Sequence, residues 1–254
     1  MIRRRILMKF IHDSNLGFPD QQSQWHQFFS QGKCDIFGTN QVELLSKSLE
    51  LDNELFAYIP VACLYKVRNV PNIQGLVGAT TGKNGAPTTS SVLVVKRGSG
   101  FRKLADLKGG IYGRINQYCT SSYYAPAIHL SENGFNFHDF FGKVLDVPVS
   151  PGNWQNQIDQ VIHGSIDATM VDENTWLASS KNSEQTQIIA RAEGLPCPII
   201  VSKSIEDSQF LNSFRQLLLD SPREQAVMFS GFSTYDENSI KLFFGKVSKA
   251  FQSI

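Results

Sequence analysis

The sequence predicts an α/β fold made of two lobes. Strand-like runs alternate with helical periods along the chain, the pattern of sheets layered by helices. At 254 residues the chain approaches the size at which one core gives way to two. Two breaks rich in glycine and proline, 75–89 and 194–198, frame a stretch with strands and helices of its own. The expected layout is a discontinuous first lobe of residues 1–89 and 196–254, with residues 90–195 inserted as the second.

Taken in order, Cys34-Asp35-Ile36-Phe37-Gly38 reads as a short strand, and 41–51 as the helix after it. The run 75–89 holds Gly75, Gly78, Gly82, Gly85 and Pro87 and reads as a loop or hinge. Ser90-Ser91-Val92-Leu93-Val94-Val95-Lys96 is a buried strand. A short helical turn over 101–110 closes on Gly109 and Gly110. Residues 111–115 form a strand and 122–133 a helix, stopped by Gly134. Pro126 is tolerated only near a helix start, which sets that start at about Ser122. A helix over 155–163 ends at Gly164, a strand over 167–172 carries an acid at each end, 187–191 is a strand, and Pro198-Ile199-Ile200-Val201-Ser202 follows Gly194-Leu195-Pro196. Ser221-Pro222-Arg223-Glu224 has the form of a capping box with proline in the first turn. Ile240, Phe243, Phe244, Val247 and Phe251 recur at helical spacing, so 236–252 is an amphipathic helix whose stripe packs in the core.

Composition excludes several functions. Lys and Arg number 24 against 23 Asp and Glu, a net charge of +1, whereas duplex binding relies on excess cations; nucleic acid is not expected as a partner. The hydrophobic share, 41%, is too high for disorder. Cys34, Cys63, Cys119 and Cys197 form no CxxC pair and no His–Cys cluster, so no metal site is expected. His12, His26, His129, His138 and His163 lie in no HExxH, and GxSxG, GxGxxG and the P-loop signature are absent. No catalytic residue and no cofactor follow from the motifs. Met1-Ile2-Arg3-Arg4-Arg5 opens like a secretory n-region, but no apolar h-region follows, and no run approaches a membrane span. The chain as written is expected in the cytosol; a lost leader would change that.

The informative run is Asn116-Gln117-Tyr118-Cys119-Thr120-Ser121-Ser122-Tyr123-Tyr124-Ala125-Pro126. A strand precedes it and a helix follows. The first turn of that helix offers unpaired N–H groups, with hydroxyls from Thr120, Ser121 and Ser122 beside them: a neutral anion pocket. The plain alternative is that Thr120 or Ser121 is an N-cap. Ligands in open α/β sheets sit outside the carboxyl ends of strands, and three more loops stand there: Thr39-Asn40, Gly152-Asn153-Trp154-Gln155 and Asp172-Glu173-Asn174-Thr175-Trp176. Half-buried packing for Trp154 and Trp176, and a helix cap for Asp172, are the competing readings.

The order of these motifs resembles the phosphate/phosphite/phosphonate substrate-binding proteins of ABC importers over about residues 33–245. The likeness runs through the 91–96 strand, Leu104-Ala105-Asp106-Leu107-Lys108-Gly109, the Thr-Ser helix start, Gly164-Ser165-Ile166-Asp167-Ala168, the 167–176 stretch, the 194–202 return and Gly231-Phe232. It implies a type II periplasmic-binding-protein fold, mixed sheets flanked by helices, whose two lobes clamp a small ligand. It also implies a monomer working with an ABC permease. The family's oxyanion contacts would fall on Thr120 and Ser121, with Cys119 at its first Ser, and Thr89 or Ser90 would match its "YxS" contacts. Three positions depart from the pattern. Ser122 replaces a Gly and is expected to crowd a close approach. Asn153-Trp154 stands where the family has a ligand-contacting His. Only residues 1–31 precede Gly32, so the first lobe is expected to be truncated, without its central strand unless 1–11 supplies one.

The function implied is a solute-binding protein for a phosphonate- or phosphate-like oxyanion. Thr120 and Ser121 would donate to the anion, with Cys119, Asn116, Ser90, Thr89, Thr39, Asn40, Trp154 and Asp172 around it. The charge of Asp172 would favour an amino-bearing ligand such as an aminophosphonate. A cytosolic enzyme on the same fold, of the thiamine-pyrimidine or menaquinone-pathway type, would use Cys119 and Asp172 as reactive groups. A degenerate domain acting through protein contacts is the third reading.

Overall fold

The computed structural model describes residues 8–14, 16, 34–39, 41–52, 54–81, 85–150, 154–220 and 229–252. Its chain divides into two compact units, residues 1–87 with 198–235, and residues 88–197 with 236–254. The capping motif at 221–224 lies outside the described residues.

The first unit is built on a sheet of β1 (Met8–Asp13), β2 (Cys34–Thr39), β3 (Leu55–Ile59), β4 (Ile73–Thr80), β10 (Ile199–Lys203) and β11 (Gly231–Thr234). Their order is β11-β4-β10-β3-β1-β2. β1 runs parallel to both its neighbours, while β10 is antiparallel to β3 and β4. Helix α1 (Val42–Leu51) buries Val42, Leu45 and Leu49, one stripe at helical spacing. Helix α2 (Val61–Lys66) follows β3 directly. Helix α8 (Ser208–Leu219) brings Phe214 to 4.6 Å from Phe56 of β3.

One expectation for this unit is met and one is corrected. The first segment of the chain does supply a strand. Met8–Asp13 lies between β3 and β2, setting Phe10 opposite both Ile36 and Phe56. Burial of Phe10 and Ile11 anchors it, although the arginines before it obscure the strand in the sequence. The glycines at 75 and 78 do not make a loop, because 73–80 is strand β4. A Cβ on Gly75 would lie 2.4 Å from the Tyr235 ring, so the glycine marks a close approach across the sheet face.

The second unit carries a sheet ordered β7-β6-β8-β5-β9: β5 (Thr88–Lys96), β6 (Ile111–Arg114), β7 (Lys143–Asp146), β8 (Ala168–Asp172) and β9 (Thr186–Pro196). β6 is parallel to β7 and β8, and β5 is antiparallel to β8 and β9. Val92, Leu93, Val94 and Val95 are all buried, as a strand covered on both faces requires. One face packs Val92, Val94 and Val171 against Ile158 and Ile162 of α5 (Asn156–His163). Gly164 closes α5 at φ +79°, a conformation glycine adopts without strain.

The helix expected from Ser122 starts earlier and differently. Thr120–Tyr124 is a turn of π-helix, followed by α3 (Ala125–Glu132). Short helices α4 (Phe137–Phe140), α6 (Glu173–Leu177) and α7 (Ser180–Gln185) fill the connections. α9 (Glu237–Phe251) lies on the α3 side of this unit, with Phe251 5.4 Å from Tyr123 and Lys246 3.0 Å from Glu132. The expected break at 194–198 shrinks as well, since β9 runs to Pro196. Gly194, at φ +65°, sits where the β5–β9 register skips between Thr89 and Ser91, a bulge rather than a loop. Among the described residues no helix is long and apolar enough to cross a membrane.

Candidate ligand site

Strand direction gathers the candidates of the second unit. β6 and β8 are parallel, so their carboxyl ends, Arg114 and Asp172, share one edge of the sheet. β5 runs the other way, and its opening residues come to that edge, with Ser91 paired to Asp172. β7 ends there too, at Asp146, before the chain reaches Trp154 and α5. Thr89, Ser90, Asn116, Cys119, Thr120, Ser121, Trp154 and Asp172 therefore all occupy the edge where α/β sheets take ligands. Thr39 belongs to the first unit, at the end of β2, where its hydroxyl accepts the Gln41 N–H at 3.0 Å. Asn40 lies outside the described residues.

The turn after β6 is tied down residue by residue. The Asn116 side-chain carbonyl accepts the Tyr118 N–H at 2.8 Å. The Cys119 sulfur accepts the Ser122 N–H at 3.4 Å, and the Cys119 carbonyl accepts from Tyr123 and Tyr124. The Thr120 carbonyl accepts the Ala125 N–H, five residues on. The N–H groups of Thr120 and Ser121 have no partner among the described residues, and both residues are half-buried. Cys119, rather than either hydroxyl residue, is the N-cap.

Ser122 corrects its expected role. Its hydroxyl is buried and accepts the Ile115 N–H at 3.0 Å, so it braces the turn instead of crowding the open side. Its carbonyl meets a specific need. An α-helix would satisfy it with the N–H of residue 126, and residue 126 is proline. The Tyr112 hydroxyl donates to it instead, at 2.9 Å, and accepts the Met170 N–H of β8 at 3.1 Å. Burial pushes the Tyr112 phenol well above the ordinary tyrosine value, so it stays a donor.

Asp172 is 4% exposed. One carboxylate oxygen accepts the Asn174 N–H at 2.9 Å, capping α6, and the other accepts the Thr89 hydroxyl at 2.5 Å. Burial raises its pKa above the ordinary carboxylate value, with those hydrogen bonds opposing. Trp176 points its indole N–H at the Thr186 hydroxyl, 3.0 Å away, and packs on the core. No group of His, Cys, Asp and Glu among the described residues could hold a metal ion.

Residues 52–236 match the family described as the periplasmic substrate-binding protein of the phosphonate ABC transporter. The chain belongs to this family. Among solved structures, XAC2383 from Xanthomonas citri bound to ATP shares 15% identity over 97% of this chain and 98% of that one, with a TM-score of 0.73. PhnD1 from Prochlorococcus marinus in complex with methylphosphonate shares 14% over 97% and 98%, at 0.72. A binding-protein component of an ABC phosphonate transporter from Pseudomonas aeruginosa shares 15% over 95% and 87%, at 0.67. These likenesses show the fold, that of the type II periplasmic binding proteins. No curated protein matches.

In this substrate-binding protein the sequence missed two residues of the edge. The Ser91 hydroxyl is buried with no hydrogen-bond partner among the described residues; its place in an apolar strand run hid it. Tyr112 had one available signal, the proline at 126, which announces an orphan carbonyl at Ser122 but not what fills it.

Proposed function

We propose that this solute-binding protein takes a phosphonate-like oxyanion at the second sheet's edge, held by the N–H groups of Thr120 and Ser121. The observation that carries this is that pair of adjacent amides, without partners among the described residues, at the head of the 120–132 helical stretch. Backbone donors at a helix start attract negative charge without a cationic side chain. Thr89, Ser90, Asn116, Cys119 and Trp154 line the same edge, and the family match supports the ligand class. Both Asp172 oxygens already accept hydrogen bonds from the chain itself, so the reading does not require a ligand amine to satisfy them, and a plain phosphonate or phosphate is proposed alongside an aminophosphonate.

The proposed role is binding without chemical change, in the service of an ABC permease. Cys119 and Asp172, the groups an enzyme reading would use, each cap a helix. Thermal melts with methylphosphonate, inorganic phosphate and sulfate test the reading. A ligand at a hundred times its dissociation constant adds about 2.7 kcal/mol of stability. Melting curves unmoved by the whole panel would overturn the proposal.

A further inference from the structure

We infer that Tyr112 is the positioning residue of the anion-binding turn: its hydroxyl stands in for the N–H that Pro126 lacks, and so fixes the amides of Thr120 and Ser121. This rests on the proposed function, and deepens it, because Tyr112 itself touches no ligand.

Ser122 is pinned at three points. Its N–H goes to the Cys119 sulfur, its hydroxyl to the Ile115 N–H, and its carbonyl to the Tyr112 hydroxyl. Thr120 and Ser121 are the two residues just before it. Their amides can sit still only if Ser122 does. The carbonyl is the point at which helix geometry fails, since the α-helical donor four residues on would be Pro126.

Tyr112 is fitted to supply that bond with little freedom to move. It is fully buried. Its ring stacks on Phe141 at 4.5 Å and meets Phe137 edge-on at 5.8 Å. Its oxygen is held from the other side by the Met170 N–H in the middle of β8. The turn is thereby keyed to the strand that ends in Asp172. The π-turn itself, with Ala125 donating to Thr120, leaves the turn one residue wider than an α-helix; such turns are irregularities that proteins keep at functional sites.

The test is a rescue. Tyr112→Phe keeps the ring and deletes the donor. Pro126→Ala returns an N–H at the position where the helix wants one. Methylphosphonate affinity is measured by calorimetry in wild type, Y112F, P126A and the double variant. Backbone amide shifts of residues 120–125 are followed by NMR without ligand. Y112F should weaken binding about tenfold when residue 126 is proline, and by less than about twofold when it is alanine. The Thr120 and Ser121 amide shifts should move in Y112F and return in the double variant. An equal loss in both backgrounds, or none in either, overturns the inference and leaves the proposed function standing. If wild type ignores methylphosphonate, the proposed function fails separately, and the shifts alone decide: unmoved or unrescued shifts overturn the role of Tyr112. Should Y112F not fold, a folded double variant supports the inference and an unfolded one overturns it.

Discussion

The Thr89 hydroxyl donates to the Asp172 carboxylate at 2.5 Å, next to the backbone pair of Ser91 and Asp172 on β5 and β8. The bond joins two strands at the edge where the ligand is proposed to sit. It also holds a carboxyl that burial would rather keep neutral. A carboxyl whose folded pKa is raised contributes stability at low pH, and that contribution is lost as pH rises through the raised value. Asp172 lies above its ordinary 3.8. Asp172→Asn removes the titration, so its melting temperature relative to wild type should climb as pH goes from 3 towards neutrality. Paired melts across that range check this; a difference that falls with pH contradicts it.

Thr120→Pro set against Thr120→Val isolates a single amide, because both variants lose the hydroxyl and only proline loses the N–H. Proline is favoured at the first position of a helix, and Cys119 before it is already extended, at φ −80° and ψ 123°. The substitution deletes an N–H that has no partner among the described residues, so the melting temperature of the ligand-free protein should hold. Losing a hydrogen bond to a charged ligand costs about 1.5–3 kcal/mol, so methylphosphonate affinity measured by calorimetry should fall about tenfold or more below that of Thr120→Val.

Cysteine labelling reads the same edge. Cys63 and Cys197 are buried, Cys119 half-buried. Burial pushes the Cys63 and Cys197 thiols far above their ordinary value, and the thiolate is the reactive form. Iodoacetamide on the native protein, followed by peptide mass spectrometry, should label Cys119 ahead of Cys63 and Cys197. Bound methylphosphonate should slow that labelling.

Gly142→Ala should be among the costlier glycine replacements. A Cβ there would lie 2.3 Å from the Gly109 carbonyl oxygen, a backbone atom that cannot swing aside. The two segments are also tied by the Gly142 N–H to Gly110 carbonyl bond at 3.0 Å. Overpacking of this kind costs about 1–3 kcal/mol, readable as a shift in the denaturant midpoint. Gly134→Ala meets nothing within 4 Å but strains a backbone at φ +78°, so its smaller loss separates strain from collision.

Much of the local structure was legible because it depends on neighbours in sequence. The apolar run at 92–95 is a strand, the helix ending at Gly164 ends there, and the phenylalanine stripe of 237–251 is a buried helix face. In each case periodicity or a cap is sufficient. The Thr-Ser run at 120–122 marked the helix start within about two residues.

The rest depended on groups far apart in the chain. Gly75 reads as a loop residue until Tyr235, from the other end of the unit, is seen lying over it. Residues 8–13 become a strand because Phe56 and Ile36 stand on either side of Phe10. An amphipathic stripe says that 237–251 is buried; only packing says that it lies against Tyr123 and Glu132. Proline at 126 makes a missing donor visible in one dimension, and Tyr112, fourteen positions earlier, answers it in three. Local chemistry writes each element's shape into the sequence, whereas the partner that satisfies a stranded carbonyl or fills the space above a glycine is chosen by the fold.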